Sequence, residues 1–108
     1  MIKNIEKIHI VKRNKVLHGL QFIEKCCREV KYVDKVIIFG SAVRDDCTEE
    51  SDIDICLFTD YTCKNRGYFK IRSSLCDTMN DNCDILEFSL CDSRFQKIML
   101  ETGVIVYE

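Results

Sequence analysis

The chain has 108 residues, of which 46% are hydrophobic and 31% are charged, and its formal net charge is −2. This length and composition fit one globular domain with one core and exclude an intrinsically disordered chain. The weak negative charge provides no basic field to attract a long nucleic acid, so small molecules or proteins are the expected partners.

The N-terminal half predicts one helix and two strands. Residues 2–31 carry apolar residues at helical spacing and predict a long helix, in which His18-Gly19 is a candidate break. The apolar run over residues 35–39 ends at Gly40, as a buried strand would. Residues 52–58 alternate with a period of two, which places Ile53, Ile55 and Leu57 on one face of a strand and the two aspartates on the other.

The C-terminal half predicts two helices and two strands. Residues 64–79 indicate a helix and residues 83–88 a strand. Ser93 is a candidate cap for a helix that runs to Glu101 and stops at Gly103, before a last strand over residues 104–107. The resulting fold class is α/β (α+β), a small mixed β-sheet with helices packed on it. We expect a single domain over residues 1–108, with an N-terminal helical segment at 1–31 and a core segment at 33–107.

Eight cysteines are present, and none forms a C-x-x-C pair. A structural zinc site is therefore not expected, because such sites use closely spaced ligand pairs. The N-terminus has no apolar signal region and no stretch approaches the ~20 apolar residues of a membrane span. We expect a cytoplasmic protein without membrane contact, whose cysteines pack as small apolar side chains.

Gly40 and Ser41 follow a predicted strand and precede a predicted turn of helix, where free backbone N–H groups attract phosphate. The Ser41 hydroxyl adds a donor, and Arg44 follows about one turn later. These three residues are candidates for binding a nucleotide.

Asp52 and Asp54 project from the same face of one strand, with β-carbons about 6–7 Å apart. Two such carboxylates repel each other, and Mg²⁺ relieves that repulsion because it binds carboxylates, waters and phosphates. Asp84 begins a separate apolar strand that could pair beside the first, so it is the candidate third ligand. The same three aspartates are the candidate catalytic residues and the candidate metal ligands.

The segment from Val36 to Arg44, continued by Ser51 to Ile55, resembles the signature of the DNA polymerase beta-like nucleotidyltransferases. The short length and the ending from Ile98 to Tyr107 resemble the minimal nucleotidyltransferase (MNT) members. In that family an apolar strand leads to Gly-Ser, Asp-apolar-Asp follows, and a third Asp lies on a later strand. The matching positions here are Gly40, Ser41, Asp52, Asp54 and Asp84, and Arg44 matches a commonly basic position. One departure is Asp45-Asp46, where many relatives have glycine after the arginine.

The resemblance implies transfer of a nucleoside monophosphate, AMP from ATP, to an acceptor hydroxyl with release of pyrophosphate. It implies two Mg²⁺ ions, or Mn²⁺, held by Asp52, Asp54 and Asp84, with Gly40, Ser41 and Arg44 on the phosphates. It also implies a small helical HEPN-type protein as partner and acceptor, in a toxin–antitoxin pair.

Two other functions stay open from the sequence. The first is a non-catalytic module that neutralises a helical partner by contact, which Asp45-Asp46 favours and the three intact aspartates oppose. The second is transfer to a small molecule such as an antibiotic, for which a homo-oligomer would have to supply the acceptor pocket.

Overall fold

The computed structural model describes residues 1–29, 33–59 and 66–108 of the chain. The helices are α1 (Ile10–Glu29), α2 (Arg66–Met79) and α3 (Ser93–Thr102), and the strands are β1 (Val33–Phe39), β2 (Ile53–Thr59), β3 (Cys83–Glu87) and β4 (Val104–Tyr107). Short 3₁₀ turns lie at Ile5–Lys7, Gly40–Val43 and Phe88–Leu90. The predicted order of helices and strands is confirmed, although positions 30–31 and 64–65 of the predicted helices lie outside the described residues.

The four strands form a mixed sheet in the order β3-β2-β1-β4. Strand β1 is antiparallel to both β2 and β4, whereas β2 and β3 are parallel and are connected through α2. The N-terminal residues lie beside β4, where Ile2 bridges to Tyr107. The sheet with its three helices confirms the predicted α+β fold class.

Each face of the sheet carries its own apolar cluster. Helices α1 and α2 cover one face, where Ile53, Ile55 and Leu57 of β2 are buried in the larger cluster. Cys56 points to the other face and packs with Ile37 and with Met99 of α3. The predicted alternation of β2 is therefore confirmed, and it places Asp54 on the same face as Cys56.

The predicted break in the first helix is wrong. Helix α1 begins at Ile10 rather than near residue 2, and it runs through His18 and Gly19 to Glu29 without interruption. A Cβ at Gly19 would lie 2.7 Å from Cγ and Sδ of Met79 on α2. The glycine therefore allows α1 and α2 to pack closely, which is a tertiary requirement that helix propensity does not reveal.

The last helix is capped one residue earlier than predicted. The Asp92 side chain, rather than Ser93, accepts a hydrogen bond from the Phe95 backbone N–H at 2.8 Å. Asp92 has extended backbone angles, as an N-cap residue requires, so Ser93 becomes the first helical residue. Gly103 ends the helix as predicted.

Aromatic residues pack within the fold. Phe58 stacks on Phe88 with ring centroids 4.2 Å apart, and Phe39 meets Phe95 edge to face at 5.8 Å. Of the cysteines within the described residues, Cys47 and Cys56 are buried and the others are half-buried. Among the helices that the structure describes, none combines the length and apolar character needed to span a membrane.

Candidate active site

Two of the predicted aspartates are neighbours on adjacent strands. In the parallel pairing of β2 with β3, Asp54 is the register partner of Asp84 and Ile53 is the partner of Cys83. Paired residues on neighbouring strands project from the same face of a sheet, so both carboxylates lie on the face that α3 partly covers. Asp52 immediately precedes β2, and its side chain is exposed, like that of Asp84. The fold therefore brings all three aspartates to one end of the sheet.

Gly40 closes the site on the β1 side. Strand β1 pairs with β2 so that Phe39 lies opposite Asp54, and the chain then turns through Gly40 with φ of +71°. A Cβ at this position would lie 2.2 Å from Oδ2 of Asp54. Glycine is required here both for the left-handed backbone and for the close approach of the carboxylate.

The turn from Gly40 to Val43 is a short 3₁₀ helix. The Ser41 hydroxyl donates to the carbonyl oxygen of Asp52 at a long distance of 3.5 Å, which links the turn to the start of β2. Ala42 is fully buried and anchors the turn against the core. The predicted nucleotide-binding residues Gly40 and Ser41 thus lie beside Asp54 and Asp52.

Arg44 follows the same turn, and its side chain is exposed. Its Nε donates to Oδ1 of Asp46 at 3.1 Å, with both side chains more than half exposed. The Asp45-Asp46 departure from the family pattern therefore has a structural consequence, because Asp46 pairs with the arginine predicted to bind phosphate.

The electrostatics of the site centre on Asp54. Partial burial is the largest cause that raises the pKa of Asp54 above its usual value, followed by the charges of Asp84 and Asp52. The charge of Arg44 opposes the increase. The charges of Asp84 and Asp52 thus repel the Asp54 carboxylate, and a bound cation would relieve this repulsion.

The donor set suits a hard divalent cation, because it consists of carboxylate oxygens that can be completed by water and phosphate. Within residues 1–29, 33–59 and 66–108, however, no three Asp, Glu, His or Cys side chains converge closely enough to hold a metal ion. Asp52 and Asp84 are exposed on the surface, where rotation about their side-chain bonds is not blocked by core packing. The assignment of Asp52, Asp54 and Asp84 as metal ligands therefore stays a prediction.

Sequence reasoning missed a buried ion pair below the site. Lys12 of α1 has no exposed side-chain surface, and its Nζ lies 2.6 Å from Oδ2 of Asp81. Asp81 lies in the turn before β3. The available signal was the spacing of Lys12, four residues after Ile8 and four before Val16, on the buried stripe of α1. Of the two histidines, His18 is exposed and His9 is half-buried.

Several solved structures share this fold. A protein proposed to be a minimal nucleotidyltransferase aligns with a TM-score of 0.65 and 18% identity, over 89% of this chain and 96% of that one. A toxin–antitoxin structure with AMP-PNP aligns with a TM-score of 0.63 and 17% identity, over 87% and 71% of the two chains. A complex of the tri-AMPylated Shewanella oneidensis HEPN toxin with its MNT antitoxin aligns with a TM-score of 0.59 and 16% identity, over 86% and 71%.

No curated protein sequence matches the chain. The family described as "Polymerase beta, Nucleotidyltransferase" matches residues 21–108, which include the glycine turn and all three aspartates. The chain therefore belongs to the polymerase beta nucleotidyltransferase family, whose class of activity is nucleotidyl transfer.

Proposed function

We propose that this chain transfers AMP from ATP to a hydroxyl of a partner protein, as the antitoxin of a HEPN/MNT pair. The observation that carries the proposal is the parallel register of Asp54 with Asp84 opposite the Gly40 turn. The partner is suggested by the similar folds seen in toxin–antitoxin structures, one of which contains an AMPylated HEPN toxin.

The three aspartates would hold two Mg²⁺ ions. When bound, these ions supply charge neutralisation for the phosphates and for the attacking and leaving oxygens. Asp52, just before β2, and Asp54, on β2, would bind both ions. The Gly40–Val43 turn and Arg44 hold the β- and γ-phosphates, and Arg44 exchanges Asp46 for phosphate oxygens when the nucleotide binds.

In the reaction, the acceptor oxygen forms a bond to the α-phosphorus while the bond from that phosphorus to the bridging oxygen breaks. Pyrophosphate leaves with the bonding electron pair, and Asp84, exposed on β3, accepts the proton of the acceptor hydroxyl. Positioning of the two reactants and stabilisation of charge supply most of the acceleration.

A binding experiment tests the nucleotide site first. ATP with Mg²⁺ is titrated calorimetrically into the wild type, into Asp52→Asn/Asp54→Asn, and into Asp77→Asn/Glu101→Gln. The last variant removes the same charge from exposed positions on α2 and α3. We expect metal-dependent binding by the wild type and the control, and none by the first variant. Equal binding by all three would contradict the assignment of the site.

A labelling experiment then tests the reaction. The chain is incubated with its co-purified partner and with ATP labelled at either the α- or the γ-phosphate. Nucleotidyl transfer places the α-label on the partner and leaves the γ-label in pyrophosphate. Label from the γ-phosphate on the partner would instead indicate phosphoryl transfer.

The contact-only module is the second candidate, because the Arg44–Asp46 pair occupies the arginine that would hold phosphate. It predicts no ATP binding by the wild type even when the partner is present. Metal-dependent ATP binding would remove this candidate.

A further inference from the structure

Lys12 is a charged residue within the apolar stripe of α1. Ile8, Val16 and Leu20 occupy the same side of this segment and are each at most 2% exposed, and Lys12 among them is 0% exposed. A lysine is almost never fully buried unless its ammonium group is paired, because an unpaired buried charge is strongly unfavourable. The groups that pair with the Lys12 ammonium therefore indicate why a lysine is buried here.

The ammonium group joins two loops that are far apart in the sequence. Lys12 Nζ donates to Oδ2 of Asp81 at 2.6 Å and to the carbonyl oxygen of Glu49 at 2.9 Å. Glu49 lies three residues before Asp52, and Asp81 lies three residues before Asp84. One buried charge thus holds together the two segments that lead into the candidate catalytic aspartates.

Further hydrogen bonds carry this connection to the strands. Oδ1 of Asp81 accepts from the Asn82 backbone N–H at 2.7 Å, and the Asn82 carbonyl oxygen accepts from the Ile53 N–H at 3.0 Å. Ile53 lies between Asp52 and Asp54. The His9 N–H just before α1 donates to the carbonyl oxygen of Ala42 at 2.7 Å, so this end of α1 also supports the glycine turn.

Asp52 needs this support because it precedes β2 and lies outside the strand ladder that sets Asp54 against Asp84. An apolar side chain could fill the volume of Lys12, but only hydrogen bonds of fixed direction tie the loop of Glu49 to the turn of Asp81. Catalytic carboxylates must be held within about 0.5 Å of their working positions. We infer that Lys12 is a positioning residue for nucleotidyl transfer, whose buried ammonium group sets the spacing between Asp52 and Asp84.

This inference rests on the proposed function, and it is tested by separating metal binding from stability. Lys12→Met/Asp81→Asn removes both charges, so neither remains buried without a partner, and the asparagine oxygen can still accept from the Asn82 N–H. Lys15→Met is the matched control, because Lys15 contacts the same Asp81 oxygen at 3.3 Å from a position that is 38% exposed. Each protein is titrated with Mn²⁺ in the presence of saturating AMP-PNP and followed by electron paramagnetic resonance, and its unfolding by urea is measured in parallel.

We expect Mn²⁺ affinity to fall about tenfold or more in the double variant and to stay unchanged in the control. Both variants should have the same urea midpoint as the wild type. Wild-type Mn²⁺ affinity in an equally stable double variant would overturn the positioning role. If the double variant is less stable, Lys12→Gln/Asp81→Asn, which can still form a neutral hydrogen bond, is measured by the same criterion. Failure of the wild type itself to bind Mn²⁺ and AMP-PNP would instead refute the proposed function, and the inference would fall with it.

Discussion

Replacing Gly40 by alanine tests the geometry of the site most directly. Gly40 has φ of +71°, and a Cβ there would lie 2.2 Å from Oδ2 of Asp54, where an ordinary contact begins near 3.4 Å. The Asp54 carboxylate must therefore move by about 1 Å, or the turn must shift by a similar distance. Either displacement separates Asp54 from the position that faces Asp84.

Two magnitudes follow from this geometry. The left-handed backbone of a non-glycine residue is expected to lower the free energy of unfolding by about 1–2 kcal/mol. The displaced carboxylate is expected to weaken Mn²⁺ binding by about 10–100-fold, the range seen when the support of a metal ligand is lost. The effect on metal binding should thus exceed what the modest loss of stability explains.

The assay is Mn²⁺ binding with AMP-PNP at a temperature where every variant is folded, together with urea unfolding. Gly19→Ala is the control, because its Cβ would also meet a close neighbour, Met79 at 2.7 Å, but within a helix and on the far side of the core. Gly19→Ala should change stability only, because alanine has the higher helix propensity but overpacks the contact with Met79. It should leave Mn²⁺ affinity unchanged. Wild-type Mn²⁺ affinity in Gly40→Ala would refute the placement of Asp54 in the metal site.

Three further predictions follow from individual contacts. Asp46→Asn frees Arg44 and should tighten binding of AMP-PNP with Mg²⁺ by about two- to fivefold. Added salt should weaken this gain, and the control Asp45→Asn should not show it. Equal affinity in both variants would show that Asp46 does not compete with phosphate. Because the pKa of Asp54 is raised in the folded chain, its contribution to stability is complete below its ordinary pKa of 3.8 and is lost as the pH rises through the raised value. Asp54→Asn should therefore be more stable than the wild type at neutral pH without metal, and the two should be equally stable near pH 3. Urea unfolding at both pH values measures this. A stability difference that persists at low pH would show that the charge of Asp54 is not its cause. Glu87→Gln should lower the free energy of unfolding by about 1.5–3 kcal/mol without changing Mn²⁺ affinity. The reason is that the buried Glu87 carboxylate accepts hydrogen bonds from Thr59 and Ser89 at the end of the strands opposite the site. A change below about 0.5 kcal/mol in urea unfolding would contradict this stabilising role.

The sequence by itself determined the order of helices and strands and identified the candidate residues of the site. Period-two alternation over 52–58 predicted that Asp54 points away from the buried face of β2, and the glycine after an apolar strand marked the turn beside it. These features depend on side-chain periodicity and backbone preference over a few consecutive residues. They can therefore be inferred from a single chain.

Tertiary structure alone decided how distant segments meet. The parallel register that sets Asp54 beside Asp84, the uninterrupted passage of α1 through Gly19, and the pairing of Lys12 with Asp81 each join segments far apart in the sequence. Gly19 breaks no helix because α2 packs against it, and Lys12 is buried because two loops supply its partners. Local propensity is a weak preference, and the packing of a core overrides it wherever close contact or a satisfied buried charge stabilises the fold more.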